Sequence, residues 1–494
     1  MKQRPARGHP RIFPTRLLLL VTVVSATIAV ACTLPLDEPK PVPIRITNVE
    51  IAPNPQMVTA AKVHITCSGS VTAAQVMYVA AGIDHGRTPR AGAASCPIDV
   101  DVLGMLAETV YRMEIRVWGQ QGDSAVAIGP NFATGSLPAD LPSLTVSSQQ
   151  TSSDALTAVN VLDPSQILTH GVAFLLDGAG RVRWYVRSNR LIGDFQPQSA
   201  NHYTSAVTAY EPLAFAALGY TTAEYQELDP AGDLVRKWTI TGGYPTDGHE
   251  IRLTPRGTAV LFGFDFRIVD LTGLGGSNNA QIIGNVLQEV DSTGRVLFQW
   301  NAFDHFAITD IDPAISLTTQ RIDWNHGNAI ELDPDGNYLL SFRHFSEVTK
   351  IDGRTGTVLW RLGGVQNEFH FDPDSMRFSF QHGIRRLPDG NLILFDNGNG
   401  RVPPYSRVVE YRLDEGTKTA TVAWSYRPSS DLYSFALGFA QRLSNGNTLV
   451  TFGTLGTVQE VAPSHEVVWQ LNLPQGLWIY RAYRVQSVYD LSVP

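Results

Sequence analysis

The sequence lacks the heptad patterns of long helices and is poor in cysteine, with three in 494 residues. Its composition, 43% hydrophobic and 17% charged, is that of a folded globular chain and excludes extended disorder. Its 42 glycines and 30 prolines separate short runs of Val, Leu, Ile and Tyr. Such punctuation is typical of all-β chains, so we predict a mostly-β protein long enough for two or three domains.

The chain also has fewer basic than acidic residues. The chain has 38 Lys and Arg against 46 Asp and Glu, and five of the basic residues but no acidic residue lie within positions 1–31. Removal of that segment leaves 33 basic against 46 acidic residues, a net charge of −13. An acidic protein of this kind is not expected to bind nucleic acid.

The N-terminus has the anatomy of an export signal. Five basic residues precede the apolar run Leu17 to Ala31, which ends in Ala29-Val30-Ala31-Cys32 and resembles a bacterial lipoprotein cleavage box. We expect residues 1–31 to be a lipoprotein-type signal peptide and Cys32 to receive the lipid. The exported protein would then be periplasmic or anchored to the outer membrane, and would touch membrane only through that lipid. A plainly cleaved signal and an uncleaved anchor are the alternatives, although about 15 apolar residues are few for a bilayer of roughly 30 Å.

Residues 32–137 are predicted to be a linker followed by a small β-sandwich. Alternating runs such as Val63-His-Ile-Thr-Cys and Tyr111-Arg-Met-Glu-Ile-Arg-Val predict strands of an immunoglobulin- or fibronectin-like domain. Cys67 and Cys96 lie in this exported segment, so we expect a disulfide between them, with two free thiols as the alternative. The domain has no cluster of chemically reactive residues, and a supporting role is expected.

The remainder of the chain, residues 138–494, is repetitive. An acidic turn followed by a strand that ends in Trp occurs six times, and successive tryptophans are 54, 62, 60, 64 and 45 residues apart. This period fits one four-stranded propeller blade with its loops. We predict a six-bladed β-propeller that a C-terminal strand after Arg481 closes by pairing with an N-terminal strand. The tryptophans are Trp184, Trp238, Trp300, Trp360, Trp424 and Trp469.

A second repeat gives the register of the blades. Hairpin-type turns recur with glycines at 257, 336, 390 and 446. The residues eight positions before these glycines are His249, Asn328, His382 and Gly438. The first strand of each propeller blade lines the axis, so equivalent positions should converge in one cavity. His326, two residues before Asn328, is predicted to share its strand face, and Arg343 ends the next strand, with a salt bridge at the rim as its alternative role.

At these residues the sequence resembles the bacterial aryl sulfotransferase family. The most specific segments are Asp323-Trp-Asn-His-Gly-Asn-Ala, Ser341-Phe-Arg-His, Thr349-Lys-Ile-Asp-Gly-Arg-Thr-Gly, Phe380-Gln-His-Gly-Ile and Asp396-Asn-Gly-Asn. The resemblance implies an enzyme that transfers a sulfuryl group from a phenolic sulfate ester to a phenol, without a nucleotide donor, cofactor or metal. Its partners would be small phenolic sulfates and phenols, with a homo-oligomer as a further expectation.

The roles of the site residues follow from the same resemblance. His382, in the Gln-His motif, corresponds to the nucleophile, which would carry the sulfuryl group as a sulfohistidine. His326 and Asn328 correspond to the His-x-Asn motif, and we expect His326 to move the proton and Asn328 to bind substrate. Arg343 corresponds to the family's catalytic arginine. His249 corresponds to a histidine of an earlier blade, although its neighbours depart from the family pattern.

Other functions fit parts of the pattern. Three histidines from different blades could ligate zinc in a metal hydrolase or lyase, but Arg343 disfavours a cation there. The repeat Asp-x-x-Thr-Gly-x-x-x-Trp around Trp360 also occurs in quinoprotein dehydrogenases and in non-catalytic envelope scaffolds. Six repeats instead of eight and the lack of an adjacent cysteine pair argue against the dehydrogenase, and a scaffold needs no converging histidines. The aromatics near the site that could stack on a phenyl ring, with core packing as the expected role, are Trp324, Phe342 and Phe380.

Overall fold

The computed structural model describes residues 42–148, 155–165, 170–198, 201–209 and 222–492. Within these ranges the chain consists of β-strands and short 3-10 helices, which confirms the all-β prediction. The 3-10 helices are Thr272–Leu274, Ala302–Asp304, Ile308–Asp310, Arg343–Phe345 and Gly453–Leu455. None of the helices described is long and apolar enough to cross a membrane. The predicted signal peptide and Cys32 lie outside the described residues.

Two sheets form the N-terminal region. In β7 (Val110–Gly119) buried residues such as Met113 and Ile115 alternate with outward residues such as Arg112 and Arg116, as a half-buried strand requires. One sheet has the order β1 (Arg45–Pro53), β2 (Ala61–Ser68), β6 (Ile98–Val102). The other has the order β4 (Asp84–Arg87), β3 (Val71–Ala80), β7, β8 (Ser124–Ile128), with β5 (Ala91–Gly92) on β3 and β9 (Phe132–Ala133) on β7. Both sheets contribute to one apolar core, and a disulfide joins Cys67 to Cys96, as predicted.

From Thr145 onward the described strands form six further sheets, each of which runs from an innermost strand outward. The first, in this direction, is β36 (Ala482–Val485), β11 (Leu156–Val161), β12 (Gly171–Leu176), β13 (Val182–Ser188). The second is β14 (Ile192–Pro197), β15 (Tyr203–Thr208), β16 (Ala223–Leu228), β17 (Leu234–Trp238). The third is β18 (Thr246–Leu253), β19 (Ala259–Val269), β20 (Ala280–Val290), β21 (Val296–Asn301), with β22 (Arg321–Asp323) parallel to β20.

The remaining three sheets follow the same plan. The fourth is β23 (Gly327–Leu332), β24 (Tyr338–Phe342), β25 (Glu347–Ile351), β26 (Val358–Gly363). The fifth is β28 (His382–Arg386), β29 (Leu392–Asp396), β30 (Arg407–Asp414), β31 (Thr419–Tyr426), with β27 (His370–Asp372) parallel to β31. The sixth is β32 (Phe439–Arg442), β33 (Thr448–Phe452), β34 (Thr457–Val461), β35 (Val467–Asn472), β10 (Thr145–Ser148).

The innermost strands of successive sheets contact one another in a closed ring, β36, β14, β18, β23, β28, β32 and back to β36. The C-terminal strand β36 pairs antiparallel with β11, and Ala482 lies opposite Val159, which is the type of closure predicted from the sequence. Both ends of the repeated region therefore take part in sheets, and the chain surrounds one axis.

The tryptophan repeat has a structural reason. Trp184, on an outer strand of the first sheet, donates its indole N–H to the carbonyl of Pro230 in the acidic turn of the second sheet at 2.9 Å. Trp300 of the third sheet donates to Gly356 of the fourth at 3.0 Å. Trp469 of the sixth sheet donates to Gly178 of the first at 2.9 Å and so completes the circle. Three of the six tryptophans of the repeat thus link neighbouring sheets, whereas the indole of Trp238 donates to Glu227 of its own sheet.

The turn glycines have the backbone conformation that hairpin turns demand. Gly336 and Gly390 have φ angles of 85° and 88°, which residues with a side chain rarely adopt. These turns set where the inner strands begin, so that Asn328 lies in β23 and His382 is the first residue of β28.

Candidate functional site

The predicted site residues lie where the innermost strands begin. His249 is in β18, His326 stands directly before β23, and His382 begins β28. The ring centroids of His249 and His326 are 4.7 Å apart. Tyr480, which precedes β36, donates its hydroxyl to the carbonyl of His249 at 2.7 Å. Residues that are distant in sequence therefore meet at one end of the ring, as the repeat register predicts.

His382 is buried, and its hydrogen bonds define its tautomer. Both N–H groups of the Asn397 amide donate to carbonyls, those of Ser434 at 2.7 Å and Leu437 at 2.9 Å. The amide oxygen of Asn397 therefore faces His382 and accepts from Nδ1 at 2.7 Å. Because Nδ1 carries the proton, Nε2 carries the lone pair, which accepts a long hydrogen bond from the Leu437 N–H at 3.2 Å.

The ring of His382 is held neutral. Burial, followed by the positive charge of Arg343, lowers the pKa of His382 well below its usual value. A neutral imidazole with a directed lone pair is a nucleophile at neutral pH, whereas an imidazolium is not.

Two aspartate–histidine hydrogen bonds lie in the candidate site. Asp247 accepts a hydrogen bond from Nδ1 of His249, and Asp323 accepts one from Nδ1 of His326. Burial opposes protonation of His249, but the charge of Asp247 and its hydrogen bond outweigh burial and raise the pKa. In His326 burial prevails over Asp323, and the nearby His344 and His249 add to it, so that the pKa falls to about 3. His249 is therefore the better proton carrier near neutral pH.

Asn285 connects the two pairs. Its Nδ2 donates to Oδ2 of Asp247 at 2.8 Å, and its Oδ1 accepts from the N–H of Gly327, which follows His326, at 2.6 Å. His326 itself has a left-handed φ of 51° and lies outside the strand. The predicted shared strand face of His326 and Asn328 is therefore wrong, because the chain turns at His326 before β23 begins.

Arg343 is a partly buried cation that forms no ion pair with a carboxylate in the described ranges of the chain. Its Nη1 donates to Nε2 of His344 at 2.5 Å and its Nη2 to the carbonyl of Phe435 at 3.0 Å, while its buried Nε has no hydrogen-bond partner. Among the described residues Arg343 forms no ion pair, and Asp323 acts on it only through its charge at longer range, which disfavours the alternative of a rim salt bridge. A guanidinium with spare donors and no ion pair suits an anionic ligand.

Asn328 is fully buried beside the nucleophile candidate. Its Nδ2 donates to the carbonyl of Gln381 at 2.8 Å, and its Oδ1 is buried without a partner. Arg481 donates to the carbonyl of Asn328 at 2.7 Å. The side chain thus supports the residue that precedes His382, and direct contact of Asn328 with substrate stays a prediction.

Asp323, His326 and His344 offer atoms within 4.8 Å of one another, close enough to hold a metal ion. However, Nδ1 of His344 donates to the carbonyl of Asp323 at 2.8 Å, and Nε2 accepts from the Arg343 guanidinium. A metal ion would have to displace a cation from a nitrogen that is already engaged. The cluster therefore fits a metal cation poorly.

The other end of the ring carries a cavity of about 730 Å³, lined by residues at the ends of the inner strands, among them Arg252, Glu331 and Arg385. A buried ion network separates it from the histidines. Glu250 pairs with Arg385 at 2.9 Å and with Arg481 at 2.7 Å, and all three side chains are almost inaccessible to solvent. Arg385 lines the cavity and Arg481 donates to the carbonyl of Asn328, so the network lies between the cavity and the candidate site.

Sequence reasoning missed several of these residues. Asn397 and Asp323 stand inside the quoted motifs Asp396-Asn-Gly-Asn and Asp323-Trp-Asn-His, and Asp247 stands two residues before His249. Asp247 and Asp323 act on histidines two and three residues away, and Asn397 reaches His382 across the fifth sheet, so none of these roles repeats from sheet to sheet. His344, a histidine without a predicted role, joins the site through Arg343 and Asp323.

The family model described as arylsulfotransferase (ASST) matches residues 144–481, which is more than half of the chain and includes every histidine discussed above.

Two curated proteins are similar in sequence to this chain. Arylsulfate sulfotransferase AssT of Escherichia coli is 24% identical over 379 residues, and that of Lelliottia amnigena is 23% identical over 368 residues. Each match covers 60% of this chain and 60% of the relative, so the chain spans about three fifths of the length of these proteins.

Among solved structures, a protein of unknown function from Bacteroides caccae gives a TM-score of 0.40 at 13% identity, over 68% of this chain and 100% of that one. A catalytically inactive virginiamycin B lyase from Staphylococcus aureus gives 0.35 at 9% identity, over 67% and 89%.

Proposed function

The chain belongs to the arylsulfotransferase family, and from this we propose that it transfers a sulfuryl group from a phenolic sulfate ester to a phenol through a sulfohistidine at His382. The observation that carries the proposal is a neutral histidine, with its lone pair on Nε2, close to the Arg343 guanidinium, whose buried Nε has no hydrogen-bond partner. The first group can attack sulfur, and the second can bind the sulfuryl oxygens.

We propose that the six sheets are the blades of a six-bladed β-propeller over residues 138–494, with a β-sandwich within residues 32–137. The closed ring of inner strands and the indole contact from Trp469 back to Gly178 support this architecture. The histidines then lie at one mouth of the propeller axis, where a small substrate can reach them.

In the first step the Nε2 lone pair of His382 forms a bond to sulfur as the bond from sulfur to the phenolic oxygen breaks. Attack replaces the hydrogen bond from the Leu437 N–H, which at 3.2 Å is long. Sulfuryl transfer, like phosphoryl transfer, spreads charge over peripheral oxygens, so the guanidinium of Arg343 stabilises the transition state. The departing phenolate takes a proton from His249.

In the second step the acceptor phenol returns a proton to His249 and attacks sulfur, and the bond from Nε2 to sulfur breaks. We assign the proton transfer to His249 instead of His326 because Asp247 raises the pKa of His249, whereas burial lowers that of His326 to about 3. His326 remains neutral. Its ring is hydrogen-bonded to Asp323, and the N–H of the next residue, Gly327, donates to Asn285, so the position of His326 is fixed.

Export and lipidation at Cys32 complete the proposal. The basic and apolar composition of residues 1–31 supports a periplasmic or outer-membrane location. There the protein would meet phenolic compounds that enter the cell envelope.

Turnover of a chromogenic aryl sulfate tests the proposal. We expect the protein to release 4-nitrophenol from 4-nitrophenyl sulfate when a phenol is supplied, with ping-pong kinetics, and His382→Ala to abolish release. The control is His85→Ala, which removes an exposed histidine of the N-terminal sheets. Full activity in His382→Ala, or no activity of the wild type with any phenolic acceptor, contradicts the proposal.

A further inference from the structure

We propose that Phe435 and Trp478 form the surface that binds the aryl ring of the substrate, next to Arg343. The inference rests on the proposed function and extends it, because it names the side chains that select aromatic over aliphatic sulfate esters. None of the predicted site residues supplies an apolar surface for a ring.

The exposure of Phe435 is the first observation. The side chain is 45% exposed, which is unusual for a phenylalanine, and it meets Trp478 edge to face with ring centroids 5.7 Å apart and an interplanar angle of 84°. By contrast, Trp324 and Phe342 are fully buried, and Phe380 is 5% exposed. The rings that the sequence offers for stacking are thus in the core, and the accessible pair lies elsewhere.

The position of Phe435 relative to Arg343 is the second observation. The carbonyl of Phe435 accepts from Nη2 of Arg343 at 3.0 Å and from Nδ2 of Asn399 at 3.0 Å. The Arg343 guanidinium is therefore hydrogen-bonded to the main chain of the same residue that carries the phenyl ring. In an aryl sulfate a single oxygen joins ring and sulfuryl group, so a substrate whose sulfuryl group contacts Arg343 has its ring within reach of this pair.

The segment that carries Phe435 is held on both sides. Asn397 binds the carbonyls of Ser434 and Leu437, and the Ser434 N–H donates to Ser406 Oγ at 2.9 Å. The main chain of Trp478 exchanges two hydrogen bonds with Leu162, at 2.8 and 2.9 Å. Both rings therefore stand on anchored backbone, which is what a preorganised binding surface needs.

An edge-to-face aromatic pair presents both a ring face and a ring edge to a third ring. Aromatic contacts of this kind contribute enough beyond area burial to change affinity by about tenfold. We therefore expect Phe435→Leu and Trp478→Leu each to raise the dissociation constant of a phenol by about tenfold, and Phe435→Tyr to restore the wild-type value. Phe266→Leu, which alters another exposed phenylalanine on β19, is the matched control.

Two measurements separate this inference from the proposed function. Binding of 4-fluorophenol to the His382→Ala protein, followed by fluorine NMR, reports the aryl surface without turnover. The ratio of KM for 4-nitrophenyl sulfate between variant and wild type reports the same surface in the active protein, and kcat should change less than KM. If phenol binding depends on Phe435 and Trp478 but the wild type transfers no sulfuryl group, the aryl-binding surface is supported and the proposed reaction is contradicted. If the wild type is active and both variants leave the phenol dissociation constant and KM unchanged, the inference is overturned.

Discussion

Replacement of Asn397 by aspartate tests how His382 is made nucleophilic. The aspartate would keep an acceptor toward Nδ1, but it would lose both donors to the carbonyls of Ser434 and Leu437 and add a negative charge next to a buried ring. A carboxylate at hydrogen-bond distance favours the charged form of histidine. The pKa of His382, which burial and Arg343 hold well below its usual value, should therefore rise.

The nearby Asp247–His249 pair indicates that the pKa of His382 would rise, because there a carboxylate raises the pKa of a buried histidine. A pKa two units above the assay pH leaves about 1% of the rings neutral, so the rate would fall about 100-fold and recover about tenfold per pH unit. The wild-type protein, with a neutral His382 throughout, should show no such ascending limb.

The assay is kcat/KM for 4-nitrophenyl sulfate across pH, with thermal unfolding as a check on folding. Asn399→Asp is the matched control, since it adds the same charge two residues away, at a side chain whose amide donates to the carbonyl of Phe435 and not to the His382 ring. A wild-type rate and pH profile in Asn397→Asp would refute the reasoning, and so would an equal change in both variants.

Four further outcomes follow from the site and the axis. Arg343→Gln should lower kcat by roughly 10²- to 10³-fold, the usual loss for one transition-state donor, measured with saturating donor and acceptor. The wild-type rate should fall as pH rises through the raised pKa of His249, because the proton donor is lost, and His249→Gln should remove that descending limb. Glu250→Leu should lower the free energy of unfolding by about 3–5 kcal/mol in urea titrations, because Arg385 and Arg481 lose their shared buried carboxylate. Dialysis against a metal chelator should leave the rate unchanged, and loss of activity with rescue by zinc would revive the metal hypothesis.

The parts of the fold that the sequence predicts are those that local chemistry specifies. Turn glycines such as Gly390 need a positive φ, and they stand at a constant distance from the start of the inner strand, so counting from them locates His249 and His382. The tryptophan repeat is visible because every copy follows the same acidic turn, and three of the six copies, at Trp184, Trp300 and Trp469, donate to the turn of the next sheet. Repetition makes such contacts detectable in a single sequence.

The rest of the site depends on side-chain contacts that do not repeat from one sheet to the next. Asn397 acts on His382 because the fifth sheet brings the end of β29 beside β28, and its amide is oriented by carbonyls of the following segment. The pKa values of His249 and His326 differ because burial, with the nearby His344 and His249, outweighs Asp323 at His326, whereas Asp247 outweighs burial at His249. The sequence does not indicate which carboxylates lie near Arg343, and it does not indicate that Phe435 is exposed.

Mass spectrometry of the protein after exposure to 4-nitrophenyl sulfate tests the central claim most directly. Tryptic cleavage after Arg377 and Arg385 gives a peptide, residues 378–385, in which His382 is the single histidine. We predict the mass of one sulfuryl group on this peptide in the absence of acceptor and its loss when a phenol is added. Sulfuryl transfer to the phenol with this peptide unmodified throughout, or with the added mass on a peptide that contains His249 or His326, would contradict the account.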